Sequence, residues 1–286
     1  MNPNIYTDLA IETRELYKEV HHSDSDGIAV ENIEHGEYAV HRVKILNEIG
    51  AENLGKPIGT YVTIELPGDK SDSSKIISDV SEIVKGEVRN LIGEDTSEPI
   101  MVVGLGNSGV TADSLGPQTA EGIQVTRHLF EVIPEDLQAG LREVSSLTPG
   151  VLGTTGIETA EIIKAAVEHV KPKAVIAVDS LAGRKMERIA NTIQISNTGI
   201  APGAGIGNHR NVLNRESLGV PVIAIGVPTV VSAKTLITDL TGVDGIESYY
   251  DNVIVTPKEI DEVIQMNAEI ISNGINYALH DDEIFV

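Results

Sequence analysis

The chain has 286 residues, enough for one large α/β domain or two smaller ones. Its 21 Lys and Arg stand against 43 Asp and Glu, a formal net charge of −22, which repels phosphate backbones and argues against direct nucleic-acid binding. The lack of Cys excludes disulfides and thiol nucleophiles, and no apolar run has the form of a signal peptide or the length of a membrane span, so a cytoplasmic protein is expected.

Residues 1–36 are polar and carry the acidic, loop-like "HHSDSDG". "YAVHRVKIL" (Tyr38–Leu46) and "TYVTIELP" (Thr60–Pro67) are predicted strands, rich in β-branched residues, with a turn region between them. Residues 71–92 place Ile76, Val80, Val84 and Val88 at helical spacing behind Ser and Asp caps. The pattern then changes to short, wholly apolar strands separated by helices. The strands are "IMVVGL", "KAVIAVD" (Lys173–Asp179), "NTIQIS" (Asn191–Ser196), "PVIAIGVP" (Pro221–Pro228) and "NVIVT" (Asn252–Thr256). A helix is predicted over 157–170. A final helix is expected to open with Thr256 as N-cap, Pro257 at N1 and Glu259 completing a capping box. Aromatics are only 3%, so the core must come from Val, Ile, Leu and Ala, as in sheets covered by helices. The expectation is an α/β fold: a mixed, mostly parallel sheet with helices on both faces.

Ligands of such sheets sit beyond the carboxyl ends of the strands. Two strands end there on polar chemistry, one in "GNSGVTAD" and one in "VDSLAGR". "GLGNSG" fits the dinucleotide fingerprint G-x-G-x-x-G, with Glu131 as the distal acid. Yet Gly116-Pro117 delays any long helix, and Asp113 would repel the phosphates that such a helix binds. Asp113 and Asp179 can each be read as caps of the turns they precede. As a pair on one rim they are more. Two close carboxylates do not both ionise cheaply, so one activates water while the other protonates a leaving amine. Asn107, Thr111, Ser180 and Arg184 stand beside them as candidates for substrate binding or site shaping.

The blocks "TDLAIE", "VVGLGNSGVTADSLGP", "SSLTPGVLGTTGIET", "VIAVDSLAGR", "SNTGIAPGAGIGNHR", "GVPVIAIGVPTVVSA" and "VTPKEID" resemble the germination protease family, in its order and over nearly the whole chain. The resemblance implies a fold shared with hydrogenase-maturation endopeptidases and a catalytic pair at Asp113 and Asp179. It implies an endopeptidase of the forespore or spore core that degrades small acid-soluble spore proteins at germination, is made as a zymogen and assembles as a homotetramer. Thr7-Asp8-Leu9-Ala10-Ile11-Glu12 is similar to the family's substrate motif, which implies self-cleavage between Asp8 and Leu9. Residues 1–8 would then be a propeptide and 9–286 a single peptidase domain. The hydrogenase-maturation enzymes grip nickel through two acids and a histidine. Here "SNTGIAPGAG" lacks His, and His209 in "GNHR" is read as a surface or hydrogen-bonding residue, so no metal or other cofactor is expected. A divalent metal on the same acids is the rival mechanism, and nucleotide binding by "GLGNSG" the rival function. The segment between Leu236 and Val255 is shorter than the insertion of Bacillus relatives, which bears on the assembly.

Overall fold

A computed structural model describes residues 6–93, 98–134, 138–202, 211–243 and 253–281. The described strands form one 9-stranded sheet. They are β1 (Ile28–His35), β2 (Tyr38–Ile45), β3 (Gly59–Glu65), β4 (Ile100–Gly104), β5 (Val144–Leu147), β6 (Ala174–Gly183), β7 (Thr192–Ser196), β8 (Val222–Ser232) and β9 (Ile254–Val255). The order is β1-β2-β3-β7-β8-β6-β4-β5, with β9 added to β8. Pairing is parallel between β4 and β5, β4 and β6, and β6 and β8. It is antiparallel from β1 through β3 to β7, between β7 and β8, and between β8 and β9. The sheet is mixed as expected, with a larger antiparallel share than expected. The two-residue turn between β1 and β2 forces antiparallel pairing, and β3 then docks against the antiparallel strand β7.

Strand β4 shows why its sequence is apolar throughout. Ile100 and Val102 point into one core; Met101 and Val103 point into the other. The first core is roofed by α3 (Ser73–Ile92), α4 (Leu115–Glu121) and α9 (Ile260–Leu279), and the second by α6 (Thr159–Val170) and α7 (Arg215–Leu218). Helices α1 (Ala10–His21) and α2 (Glu48–Leu54) cover a third cluster built on Val43, Ile45 and Tyr61. The Asp72 carboxylate accepts a hydrogen bond from Lys75 N at 3.1 Å, capping α3 as its sequence suggested.

Three local expectations fail. The acidic N-terminal stretch holds α1 and β1, because contacts distant in sequence bury Leu9, Ala10, Ile11 and Glu12. The turn region after β2 contains α2, capped by Asn47, whose side chain accepts from Gly50 N at 3.1 Å. Helix α9 begins at Ile260 rather than behind Thr256, whose hydroxyl donates to Thr229 O at 2.8 Å. A tertiary partner thus takes the cap. Two shorter helices, α5 (Leu152–Thr155) and α8 (Ala233–Thr241), complete the described elements used below. Among the described residues no helix is long and apolar enough to cross a membrane.

Helices α3 and α9 approach closely at Gly274, where a Cβ would lie 2.5 Å from Val84 Cγ1 and 3.0 Å from Ser81 O. Gly274→Ala is therefore expected to destabilise by about 1–3 kcal/mol through overpacking, despite the better helix propensity of Ala. The check is urea denaturation, with a lower midpoint at unchanged slope.

Candidate active site

Strands β4 and β6 are neighbours, but the chain leaves β4 toward β5 on one side and returns to β6 on the other. That reversal opens a crevice beyond their carboxyl ends. Gly104 pairs with Val178, so β4 stops one position short of Asp179, and Leu105 N seals the junction by donating to Val178 O at 2.8 Å. The loop after β4 then doubles back through a 3₁₀ turn, Thr111–Asp113. Asn107 N donates to Asp113 O at 2.9 Å, and Val110 N to Asn107 O at 3.0 Å. The Asn107 side chain accepts from Gly109 N at 3.0 Å.

The glycines permit this fold-back. Gly106 has φ +113°, and a Cβ there would stand 2.1 Å from Asp113 O and 3.1 Å from Asp113 Oδ1. A Cβ on Gly104 would meet Gly116 O at 2.2 Å. At Gly104 and Gly106 the room that a side chain would take is filled by the chain's own carbonyls, and the amides of Asn107, Gly109 and Val110 are paired within the loop. "GLGNSG" therefore folds back onto Asp113.

Asp113 and Asp179 line one cavity of about 210 Å³, and Asp8 lines it with them. Its wall also includes Ser180, Thr229, Val151, Pro202 and Ile254. Asp179 is buried on β6 opposite Gly226, and its Oδ1 accepts from Ser180 N at 2.9 Å. Ser180 Oγ is sealed from solvent and has no partner among the described residues. Thr229 Oγ1 donates to Ala112 O at 2.7 Å and pins the 3₁₀ turn to β8. Asn107 and Thr111 shape the loop without lining the cavity; the Thr111 carbonyl accepts from Ser114 N at 3.1 Å.

Arg184 is not at the acids. Strand β6 continues past Asp179 to Gly183, which carries Arg184 roughly 16 Å further on at about 3.3 Å per residue. Its guanidinium binds Asp239 of α8 at 2.5 Å and Glu19 of α1 at 3.1 Å. Its main chain serves the N-terminal motif, as Arg184 N and Lys185 N donate to the Glu12 carboxylate at 2.7 and 3.0 Å.

Each residue of "TDLAIE" has a partner. Thr7 Oγ1 donates to Glu12 Oε2 and accepts from Leu9 N at 3.1 Å. Asp8 N donates to Ala182 O at 2.8 Å, and Ala182 N returns a bond of 2.8 Å to Asp8 Oδ2. Leu9 and Ile11 pack on Leu181, and Ala10 packs under β2 and β3. The Asp8–Leu9 peptide is thus the last extended bond before α1, with Leu9 at φ −81° and ψ 124°. Beyond it, Glu15 and Arg188 pair at 2.7 Å, and Lys185 joins Glu15 at 2.9 Å. Burial would raise the Glu15 carboxyl, but the hydrogen bonds from Arg188 and Lys185 outweigh it and hold the pKa at about 2.

Lys56 and Gln194, which contact this segment, had no place in the sequence reading. Gln194 had a signal: an amide between Ile193 and Ile195 in a strand otherwise built for burial. Lys56 had none, since a lone loop lysine is commonplace. Among the described residues no group of three or more His, Asp or Glu side chains is arranged to hold a metal. His209 lies outside the described residues.

A profile of the germination protease family matches residues 7–244. The germination protease of Clostridium perfringens is 44% identical, covering 96% of this chain and 95% of that protein. That of Caldanaerobacter subterraneus is 45% identical over 96% and 94%, and that of Bacillus subtilis 38% identical over 97% and 94%. Among solved structures, the NiFe hydrogenase maturation protease HycI of Thermococcus kodakarensis aligns with 68% of this chain and 98% of its own, at 19% identity and a TM-score of 0.40.

Two outcomes are expected from this geometry. Gly106→Ala should displace Asp113 and lower peptidase activity by more than tenfold. Its stability loss should be only about 1–3 kcal/mol. Parallel kinetic and urea measurements check both. Because folding lowers the Glu15 pKa from 4.5 to about 2, its stabilisation is complete above about pH 4.5 and fades as the pH falls toward 2. Glu15→Gln should cost about 1–2 kcal/mol at neutral pH and flatten the acid limb of the stability curve, as followed by thermal unfolding across pH.

Proposed function

This chain belongs to the germination protease family and is a peptidase, and from that premise we propose that it cuts its own Asp8–Leu9 bond and then degrades small acid-soluble spore proteins in the spore core. The observation that carries the reading is the single cavity lined by Asp8, Asp113 and Asp179. Two acids, one from the loop after β4 and one from β6, meet there a residue of the segment that resembles a substrate.

The chemistry follows from the pair. One aspartate, as carboxylate, takes a proton from water while the water oxygen attacks the Asp8 carbonyl carbon. The other, in its protonated form, gives its proton to the Leu9 nitrogen as the C–N bond breaks. The partners of residues 7–12 supply positioning, which holds the bond in place while the acids act. A substrate protein with the same residue pattern would present the same groups: an acid before the bond, an aliphatic residue after it, and a closing Glu. Assembly as a homotetramer belongs to the same proposal, its support being the resemblance read from the motif blocks.

Asp113→Asn and Asp179→Asn, made separately in the full chain, should each slow self-processing by about 10²–10⁴-fold. Intact mass and N-terminal sequencing read the outcome. Mature, active protein that still begins at Met1 would refute the self-cleavage. The water-activating pair needs no metal, so chelator should leave the rate unchanged. Loss on chelation with rescue by a divalent ion would establish the metal-assisted alternative.

A further inference from the structure

The carbonyl oxygen of Asp8 is held from two directions by side chains. Lys56 Nζ donates to it at 3.0 Å and Gln194 Nε2 at 3.1 Å. The same Gln194 accepts through Oε1 from Ala10 N at 2.7 Å, so one amide spans the Asp8–Leu9 bond. Lys56 also reaches Thr7 O at 3.3 Å. Gln194 is buried, and Lys56 is half-buried on the short turn between Gly55 and Pro57. Burial pushes the Lys56 ammonium below its usual pKa, while the charges of Asp8 and Glu12 support it. A cation this poorly solvated acts strongly on whatever it touches, and here it touches main-chain carbonyls.

Asp8 stands between two cavities. One, of about 210 Å³, contains Asp113 and Asp179; the other, of about 240 Å³, is lined by Lys56, Gln194, Tyr61 and Ser196. The acids and the carbonyl donors thus approach the same residue from different cavities. Hydrolysis needs this division, with water and proton carriers in one place and a separate place for the charge that develops on oxygen.

We propose that Lys56 and Gln194 are catalytic residues that form the oxyanion site, binding the carbonyl oxygen of the bond to be cut. This rests on the reading that Asp8–Leu9 is that bond. As the water oxygen bonds to the Asp8 carbonyl carbon, the C=O π pair moves onto oxygen, where the Lys56 ammonium and the Gln194 N–H stabilise it. The pair returns when the C–N bond breaks, and the leaving nitrogen takes its proton from the acid member of the aspartate pair. The products are an Asp8 carboxyl group and a Leu9 amine, with one water consumed.

The test uses the full chain carrying Lys56→Met, Lys56→Arg or Gln194→Leu. Formation of the Leu9 N-terminus is followed by mass, and a peptide spanning Thr7–Glu12 is supplied in trans to the mature protein. Lys56→Met and Gln194→Leu should each slow processing by about 10²–10³-fold, with the loss in kcat and KM changed less than about threefold. Lys56→Arg, which keeps the charge, should recover part of the rate, with thermal midpoints close to wild type in all three. Wild-type processing in both Lys56→Met and Gln194→Leu would overturn the proposal, as would a loss confined to KM, which marks an anchor. Active Lys56→Met beside inactive Asp113→Asn removes the oxyanion site alone. Cleavage of the wild type at another bond removes the reading beneath it.

Discussion

Gly106 and the main chain of Asp113 occupy space that any side chain at position 106 would claim. The site depends on that close approach. It lets the loop after β4 turn back on itself and brings an acid from beyond the strand to the crevice where β6 presents Asp179. The parallel register of β4 and β6 sets the depth of the crevice. The hydrogen bond from Thr229 to Ala112 then ties the returning loop to β8, a strand that pairs with β6.

The N-terminal segment is joined to the same strand. Ala182 exchanges two hydrogen bonds with Asp8 only three positions beyond Asp179, and the main chain at Arg184 and Lys185 grips Glu12. Farther out, Arg184 and Arg188 bind acids of α1 and of the sheet. The guanidinium groups are mostly buried, so the Arg188 pair with Glu15 is less screened than a surface pair and ties α1 to the chain after β6. The consequence is mechanical. The Asp8–Leu9 bond lies in extended backbone between a β-like contact at Asp8 and a helix that starts at Ala10, with both sides anchored.

Much of this architecture was legible in the residues. Strands β2, β3, β4, β6, β7 and β8 and helix α3 follow from apolar runs and helical spacing, because their burial is periodic and nearly complete. Asp113 and Asp179 stood out as acids where apolar strands end. The helix α1 did not, since its first turn is buried by Leu181, Gln194 and the loop at Arg184, all far away in sequence. Thr256 has every local feature of an N-cap and is used for a tertiary bond instead. Arg184 looked like a site cation, but five residues of extended strand carry its side chain away from the acids, leaving only its amide to meet the motif.

By itself the sequence determined the α/β class and the family and singled out two acids as candidates, because apolar periodicity, charge type and ordered motif blocks are local properties of a chain. Only the tertiary structure decided that Asp8, Asp113 and Asp179 line one cavity, and that Lys56 and Gln194 reach the carbonyl between Asp8 and Leu9. Those groups come from α2's far end, two strands, a glycine loop and the N-terminus. What places them together is the order of strands in the sheet and the close approaches that glycine permits, which no local pattern of residues encodes.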